Sequence, residues 1–212
     1  MGKASVVIVD DHRVVCAGLK ILIDSQPDMQ VTAEFHSGRK AMTELRTVQA
    51  NLVVLDLQLG DTSGLDVLRS VVLHTPNARV LVLSSYPESQ YAMNVLRAGA
   101  AGFLSKSADP AEMLRAMRTV IRGGRYVGAT LAEQLVNGLN GDVNTPLHGK
   151  LSAREFQIFC KLAQGESVSA ISAKMFLSVK TVSTYRRRVL DKMSMTSNAD
   201  LTSYAIRNEL IQ

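Results

Sequence analysis

The sequence predicts two folds in one chain: an α/β unit built as a five-stranded parallel (βα)5 sheet, then a smaller all-α domain of four helices containing a helix-turn-helix. Three observations lead there. Across residues 5–123, short β-branched runs alternate with helical stretches, and runs that are apolar throughout suit strands covered on both faces, joined by helical crossovers. Across residues 151–211 the periodicity is helical only. The formal charge of +5 is also divided, since residues 1–122 carry 13 basic against 12 acidic residues while 150–212 carry 10 against 5. At 212 residues the chain has room for two cores. The expected boundaries are 1–123 for the first domain, 124–149 for a linker with a short helix, and 150–212 for the second domain.

The predicted strands are residues 6–9, 31–35, 52–55, 80–83 and 102–104, each followed by a helix. The fifth helix is marked most clearly. Asp109 caps it, Pro110 takes its first position, and Glu112 completes a capping box ahead of Met113, Leu114, Met117, Val120 and Ile121 at helical spacing. Gly123 and Gly124 stop it. A short helix-like stretch, 131–139, then gives way to Asn137, Gly138, Asn140, Gly141, Asn144 and Pro146, the composition of a tether.

Ser152 and Glu155 form a second capping box, flanked by Leu151 and Phe156 as a hydrophobic staple. Gly165 ends that helix. Ser167 starts a short helix through Ile171 and Met175, Phe176 and Leu177 fill the turn, and Ser178 caps a third helix running to about residue 193. A fourth spans 200–208. Cys16 and Cys160 sit within apolar patterns in different domains and read as reduced core residues, which implies the cytoplasm. The apolar run 6–9 breaks at Asp10, too short for a signal sequence or a membrane span.

In a parallel α/β sheet, ligands collect at the C-terminal strand ends. There the sequence places Asp10 and Asp11 after the first strand, Asp56 after the third, Ser84 after the fourth and Lys106 after the fifth. Three carboxylates in one crevice repel each other and need a cation, and oxygen-only ligation favours Mg²⁺. With the metal bound, Asp56 can attack a phosphodonor while Lys106 stabilises the transferring charge, giving an acyl phosphate. Ser84 then bonds a phosphate oxygen and Phe103 repacks, a two-state element biased by a local charge.

These residues, with Asp56 set in LVVLDLQLGDTSGLDVL, resemble the receiver domain of two-component response regulators over residues 5–122. Residues 151–211 resemble the LuxR-type helix-turn-helix, and the combination resembles the NarL/FixJ subfamily. The resemblance implies phosphorylation of Asp56 by a sensor histidine kinase, with Mg²⁺ held by Asp10, Asp11, Asp56 and the backbone carbonyl of Gln58. Two positions depart from the family pattern. Gly60 stands where many receivers have Pro, implying a looser loop, and Tyr86 borders the site where water reaches the acyl phosphate.

The third helix of the second domain reads SVKTVSTYRRRVLDKM. At about 100° per residue, Val182, Tyr185, Val189 and Met193 share one face, while Lys180, Ser183, Thr184, Arg187 and Arg188 point away. An apolar inner stripe with a basic, hydroxyl-rich outer face suits a major groove. The expected contacts to double-stranded DNA come from Lys180, Thr181, Ser183, Thr184, Arg187, Arg188 and Lys192. By resemblance Ser183, Thr184 and Arg187 are the base readers, with Arg187 directed at guanine, although position 183 is often Lys and position 185 often His in the family. One short module makes few contacts, so a homodimer on paired half-sites is expected, and the family places that contact on the last helix, here at Leu201, Tyr204 and Ala205.

The sequence thus reads as a phosphorylation-gated DNA-binding regulator with no membrane partner. Two other readings stand beside it: a regulator of the same fold acting without phosphorylation, and a Mg²⁺-dependent phosphohydrolase. The latter needs an acid-base carboxylate, commonly two residues after the nucleophile, where this chain has Gln58.

Overall fold

The computed structural model describes residues 2–85, 88–128, 146–208 and 210–211. The chain divides into two compact units, residues 1–134 and 135–212. In the first unit β1 (Ala4–Val9), β2 (Met29–Phe35), β3 (Leu52–Leu55), β4 (Arg79–Ser84) and β5 (Gly102–Ser105) alternate with α1 (Arg13–Asp24), α2 (Gly38–Glu44), α3 (Gly64–His74), α4 (Glu88–Arg97) and α5 (Pro110–Ile121). All strand pairs are parallel, in the order β2-β1-β3-β4-β5. The five apolar runs are all strands, and several extend past the run because ladder hydrogen bonds continue through polar residues such as Arg79 and Ser84.

The middle strands are buried on both sides, with Val6, Val7, Ile8 and Val9 fully inaccessible. On one face Val6, Ile8, Leu52, Val54, Leu81 and Leu83 meet Cys16, Leu19 and Ile23 of α1 and Met113, Ala116, Met117 and Val120 of α5. Neighbours of opposite parity along each strand face the other side. Each such side chain taken from water contributes roughly 2 kcal/mol. The chain reverses direction across the sheet between β1 and β3, which opens a crevice at their C-terminal ends.

The α5 cap differs from expectation. Asp109 accepts from Glu112 N, but the Glu112 carboxylate does not return to the cap; its Oε1 accepts the Tyr126 hydroxyl at 2.9 Å. Tyr126 also joins the sheet edge, donating its N–H to Ala101 O and accepting from Phe103 N. Gly102 is required there, because a Cβ would stand 2.9 Å from Tyr126 O and from Leu81 Cδ1. The helix expected over 131–139 lies outside the described residues.

The second unit opens with a 3-10 turn (Leu147–Lys150), followed by α6 (Ala153–Ala163), α7 (Val168–Lys174), α8 (Val179–Met193) and α9 (Asn198–Arg207). Ser152 and Glu155 make both halves of their capping box, and Ser167 and Ser178 cap α7 and α8 through Ala170 N and Thr181 N. Leu151 and Phe156, the pair read as a staple, are both buried. Gly165 ends α6 at φ +83°. The fourth helix starts two residues earlier than its spacing suggests, because Asp200 is the third residue of a further capping box with Ser197. Phe156, Phe159, Ile171, Val182, Val189, Leu201 and Ala205 fill the core. Cys16 and Cys160 are both buried, and neither is in a disulfide.

Candidate functional site

The strand ends bring the predicted acidic residues together at the crevice. Asp10 and Asp56 are 2% exposed, Asp11 is half-buried, and ligand atoms of Asp10, Asp11, His12 and Asp56 all lie within 4.8 Å of one another. Lys106 Nζ bridges the two buried carboxylates, 2.6 Å from Asp10 Oδ2 and 2.8 Å from Asp56 Oδ2. Asp56 Oδ1 is buried with no hydrogen-bond partner among the described residues. An orphaned carboxylate oxygen of this kind is costly unless a cation or another electrophile uses it. The all-oxygen carboxylate set, with that oxygen free, fits a hard divalent cation.

Burial pushes the Asp56 carboxyl above its ordinary range, and the Asp10 charge adds to this; the bonds from Lys106 and the Gln58 backbone oppose the rise without cancelling it. Burial also works against the charged form of Lys106, but its bonds to Asp10 and Asp56 outweigh that and hold the ammonium above its usual value. Ser84 and Phe103 are fully buried at the ends of β4 and in β5. Position 86 lies outside the described residues.

Several participants carry no signal in the bare spacing. His12 donates its backbone N–H to Asp10 Oδ1 at 2.8 Å, and its Nδ1 lies 2.9 Å from Asp11 Oδ1, close enough for an ion pair but without hydrogen-bond geometry. Gly60 N donates to Asp11 Oδ2 at 2.9 Å, a bond that the proline found there in many receivers has no N–H to make. Asp61 clamps the same loop to the start of α2, accepting from Ser37 Oγ at 2.6 Å, Gly38 N at 2.9 Å and Arg39 N at 3.2 Å. Those bonds outweigh its burial and hold Asp61 below the usual carboxylate range. Gly64 completes the loop, since a Cβ would stand 2.5 Å from Asp56 O and Leu57 Cα. The loop after Asp56 is therefore tied at three points. Beneath it Cys16 Sγ donates to Asp10 O, and burial and the Asp10 charge push its thiol up to about 11, so it stays protonated.

The second site is the outer face of α8. Val182, Val189, Leu190 and Met193 are buried, whereas Lys180, Ser183, Thr184, Arg187 and Arg188 are exposed. Tyr185 is half-buried, with the Arg188 guanidinium 5.9 Å from its ring centroid. Arg187 has only a weak contact, 3.9 Å, to the exposed Asp191. Two of the predicted contacts are committed elsewhere. Thr181 is half-buried with its hydroxyl 2.8 Å from Ser178 Oγ, and Lys192 Nζ lies 2.7 Å from the buried Glu155 carboxylate. Arg186, which the helical wheel leaves between faces, donates from Nε to Asn198 Oδ1 at 2.7 Å and fixes α8 against the start of α9. Leu201 and Ala205 are buried in their own core, Tyr204 bonds His148 Nδ1 at 2.9 Å, and Ile206 is the exposed large apolar residue of α9.

Comparison with known proteins matches both units. The family described as response regulator receiver domain matches residues 6–118, and the luxR family of bacterial regulatory proteins matches residues 149–205. Response regulator UvrY of Escherichia coli is 32% identical over 207 residues, covering 97% of this chain and 95% of the relative. Response regulator GacA of Pseudomonas protegens is 33% identical, covering 97% of each. Among solved structures, the response regulator ChrA of a heme-sensing two-component system is similar at 28% identity over all of both chains, with a TM-score of 0.53. RcsB of Salmonella enterica serovar Typhimurium, bound to promoter rprA in the presence of a beryllofluoride phosphomimetic, matches at 21% identity over 96% of this chain and 98% of its own, with a TM-score of 0.71, and supports the fold. The chain belongs to the two-component response regulators of the NarL/FixJ type, phosphorylation-gated transcription regulators that join a receiver domain to a LuxR-type DNA-binding domain.

Proposed function

We propose that Asp56 is the residue on which a sensor histidine kinase deposits its phosphoryl group, with Asp10, Asp11 and Lys106 as its working partners. The observation that carries this reading is the buried Asp56 carboxylate, one oxygen held by Lys106 and the other unpartnered. Attack by the carboxylate on the kinase phosphohistidine forms an O–P bond as the P–N bond breaks, the electron pair leaving on the imidazole, which takes up a proton. Lys106, already between two carboxylates, holds charge on the transferred oxygens. Mg²⁺ held by Asp10, Asp11, Asp56 and the Gln58 backbone carbonyl would neutralise phosphoryl charge as a Lewis acid. Ser84 bonds the new phosphate, and Phe103 repacks within β5. Gln58 supplies no acid-base carboxylate, so the pocket acts as an acceptor and not as a hydrolase in steady turnover.

On α8, Ser183, Thr184 and Arg187 read base edges and Lys180 and Arg188 hold phosphates, while Thr181 and Lys192 act as positioning residues through Ser178 and Glu155. Two copies occupy paired half-sites, with Ile206 as the apolar residue of α9 open to a second copy. The protein works in the cytoplasm, where its kinase and DNA partners meet; among the described residues no helix is long and apolar enough to cross a membrane.

Intact-protein mass spectrometry after incubation with Mg²⁺ and acetyl phosphate, or with a panel of sensor kinases, is expected to show one added phosphoryl group, lost in Asp56→Asn. Anisotropy on a duplex selected from random DNA is expected to show tighter binding with beryllofluoride. Equal affinity with and without beryllofluoride removes the gating. Unchanged promoter output from Asp56→Asn in cells favours the regulator that needs no phosphorylation.

A further inference from the structure

The chain leaves α5 through Gly123, at φ +92°, and Gly124. Two glycines in a row allow a swivel, and a swivel carries no information about the domain behind it. The residues that follow are nevertheless tied down. Gly124 N donates to Thr119 O at 3.0 Å, and Arg79 Nη2 reaches Gly124 O at 3.4 Å. Tyr126 then lies along β5, an edge strand, as a parallel bridge to Gly102. Its N–H donates to Ala101 O at 2.9 Å, and its carbonyl accepts from Phe103 N at 3.3 Å. The half-buried side chain packs on the core shared by α1, α5 and the sheet, and its hydroxyl donates to Glu112 Oε1 of α5 at 2.9 Å. One residue thus fixes the departing chain to β5 by its backbone and to α5 by its side chain.

An edge strand leaves its outward N–H and C=O groups to water unless something covers them. On β5 the covering residue takes its bond from the backbone of Phe103, whose fully buried side chain is the one assigned above to repacking. We propose that Tyr126 is the positioning residue that carries the state of Phe103 to the chain leading toward the second unit. The inference rests on the reading of Phe103 as the element that responds to phosphorylation. A shift of β5 at residue 103 moves the Tyr126 carbonyl bonded to it, and the covalent chain passes that displacement on from a point beyond the two glycines. Without the attachment, the departing chain would take its direction from the glycine swivel at the end of α5. Two states are coupled only through contacts that differ between them, and the Phe103–Tyr126 bond joins the strand that changes to the segment that leaves the domain.

The test uses the full-length protein. Amide exchange followed by NMR, with and without Mg²⁺ and beryllofluoride, is expected to show protection at Phe103 and at Tyr126 changing together in wild type. In Tyr126→Ala, the response at position 126 should be lost while that at Phe103 remains. Anisotropy on the selected operator reads the consequence: the ratio of affinities with and without beryllofluoride should fall toward one in Tyr126→Ala. Tyr126→Phe and Glu112→Ala each delete the hydroxyl bond and leave the backbone pair, and should reduce the ratio by about two- to fivefold, the worth of one hydrogen bond. Glu112→Gln, which still accepts the hydroxyl, should keep it. Phosphoryl uptake from acetyl phosphate should match wild type in all four variants, which separates a lost connection from a lost acceptor. A role confined to stability lowers the unfolding midpoint and leaves the ratio as in wild type, and that result overturns the proposal. So does a Tyr126 amide that stays indifferent while Phe103 responds. If neither amide responds in wild type, Phe103 is not the element that changes and both readings fall.

Discussion

The acidic pocket and the outer face of α8 handle charge in opposite ways. In the pocket a few charged groups are buried and depend on one another: Lys106 serves Asp10 and Asp56 together, and Asp56 retains one orphaned oxygen. On α8, Lys180, Arg187 and Arg188 stand in water with weak neighbours or none of opposite sign within the same face. The pocket stores unfavourable free energy that a ligand can release; the helix keeps its cations solvated until phosphates replace the water and counterions. The receiver is built to change state. The reading helix is built to stay as it is.

That contrast is open to attack by mutation. Lys106→Met is expected to have the largest effect, lowering receiver stability by about 3 kcal/mol, because it leaves two buried carboxylates side by side without a counter-charge. A shift in the urea midpoint worth under about 0.5 kcal/mol would contradict the mutual dependence. Asp61→Ala, which frees the loop after Asp56 from α2, should cost about 2 kcal/mol by the same assay, as loss of three hydrogen bonds to a carboxylate. Arg187→Ala should leave the unfolding curve unmoved but weaken operator binding about tenfold and relax preference at one base pair, whereas Arg188→Ala should lower the salt slope by about 1 without altering sequence preference.

Asp56→Asn should move the other way, raising receiver stability by about 1 kcal/mol at neutral pH, a functional residue held at a cost. The sign follows from its raised carboxyl. A folded-state value above the unfolded one means stability is fullest at low pH and falls as pH rises through the folded value. The gain from Asn is therefore complete above that value and disappears as pH drops below the ordinary carboxylate range. Thermal melts of both proteins across pH 4–8 (about one pH unit per step suffices) read this directly; a gap that widens on acidification breaks the account.

Much of this was legible in the residues themselves. The apolar runs give β1, β3 and β4 because a strand covered on both faces leaves little room for polar interruption, whereas β2, at the sheet edge, runs through Thr32 and Glu34; the serine caps at Ser152, Ser167 and Ser178 are local side-chain geometry, while the Ser197 cap precedes the helix start that the spacing suggests. The acidic cluster follows from strand ends converging at the β1/β3 switch point. What the pattern hid depends on tertiary approach. Asp61 reaches α2 across 23 residues of chain to Gly38, Glu112 gives up its cap to Tyr126, and Lys192 crosses from α8 to Glu155 on α6. The looser loop expected from Gly60 is instead given an extra tie, since glycine brings an N–H that proline lacks.

Glu155 closes the first turn of α6 and receives Lys192 from the last turn of α8. A descendant that replaces Lys192 loosens the start of a neighbouring helix, while one that replaces Ser183 or Arg187, both exposed, leaves that packing untouched. Divergence of regulons among descendants of this protein is thereby steered to the leading half of α8, with its trailing end kept as inherited scaffold.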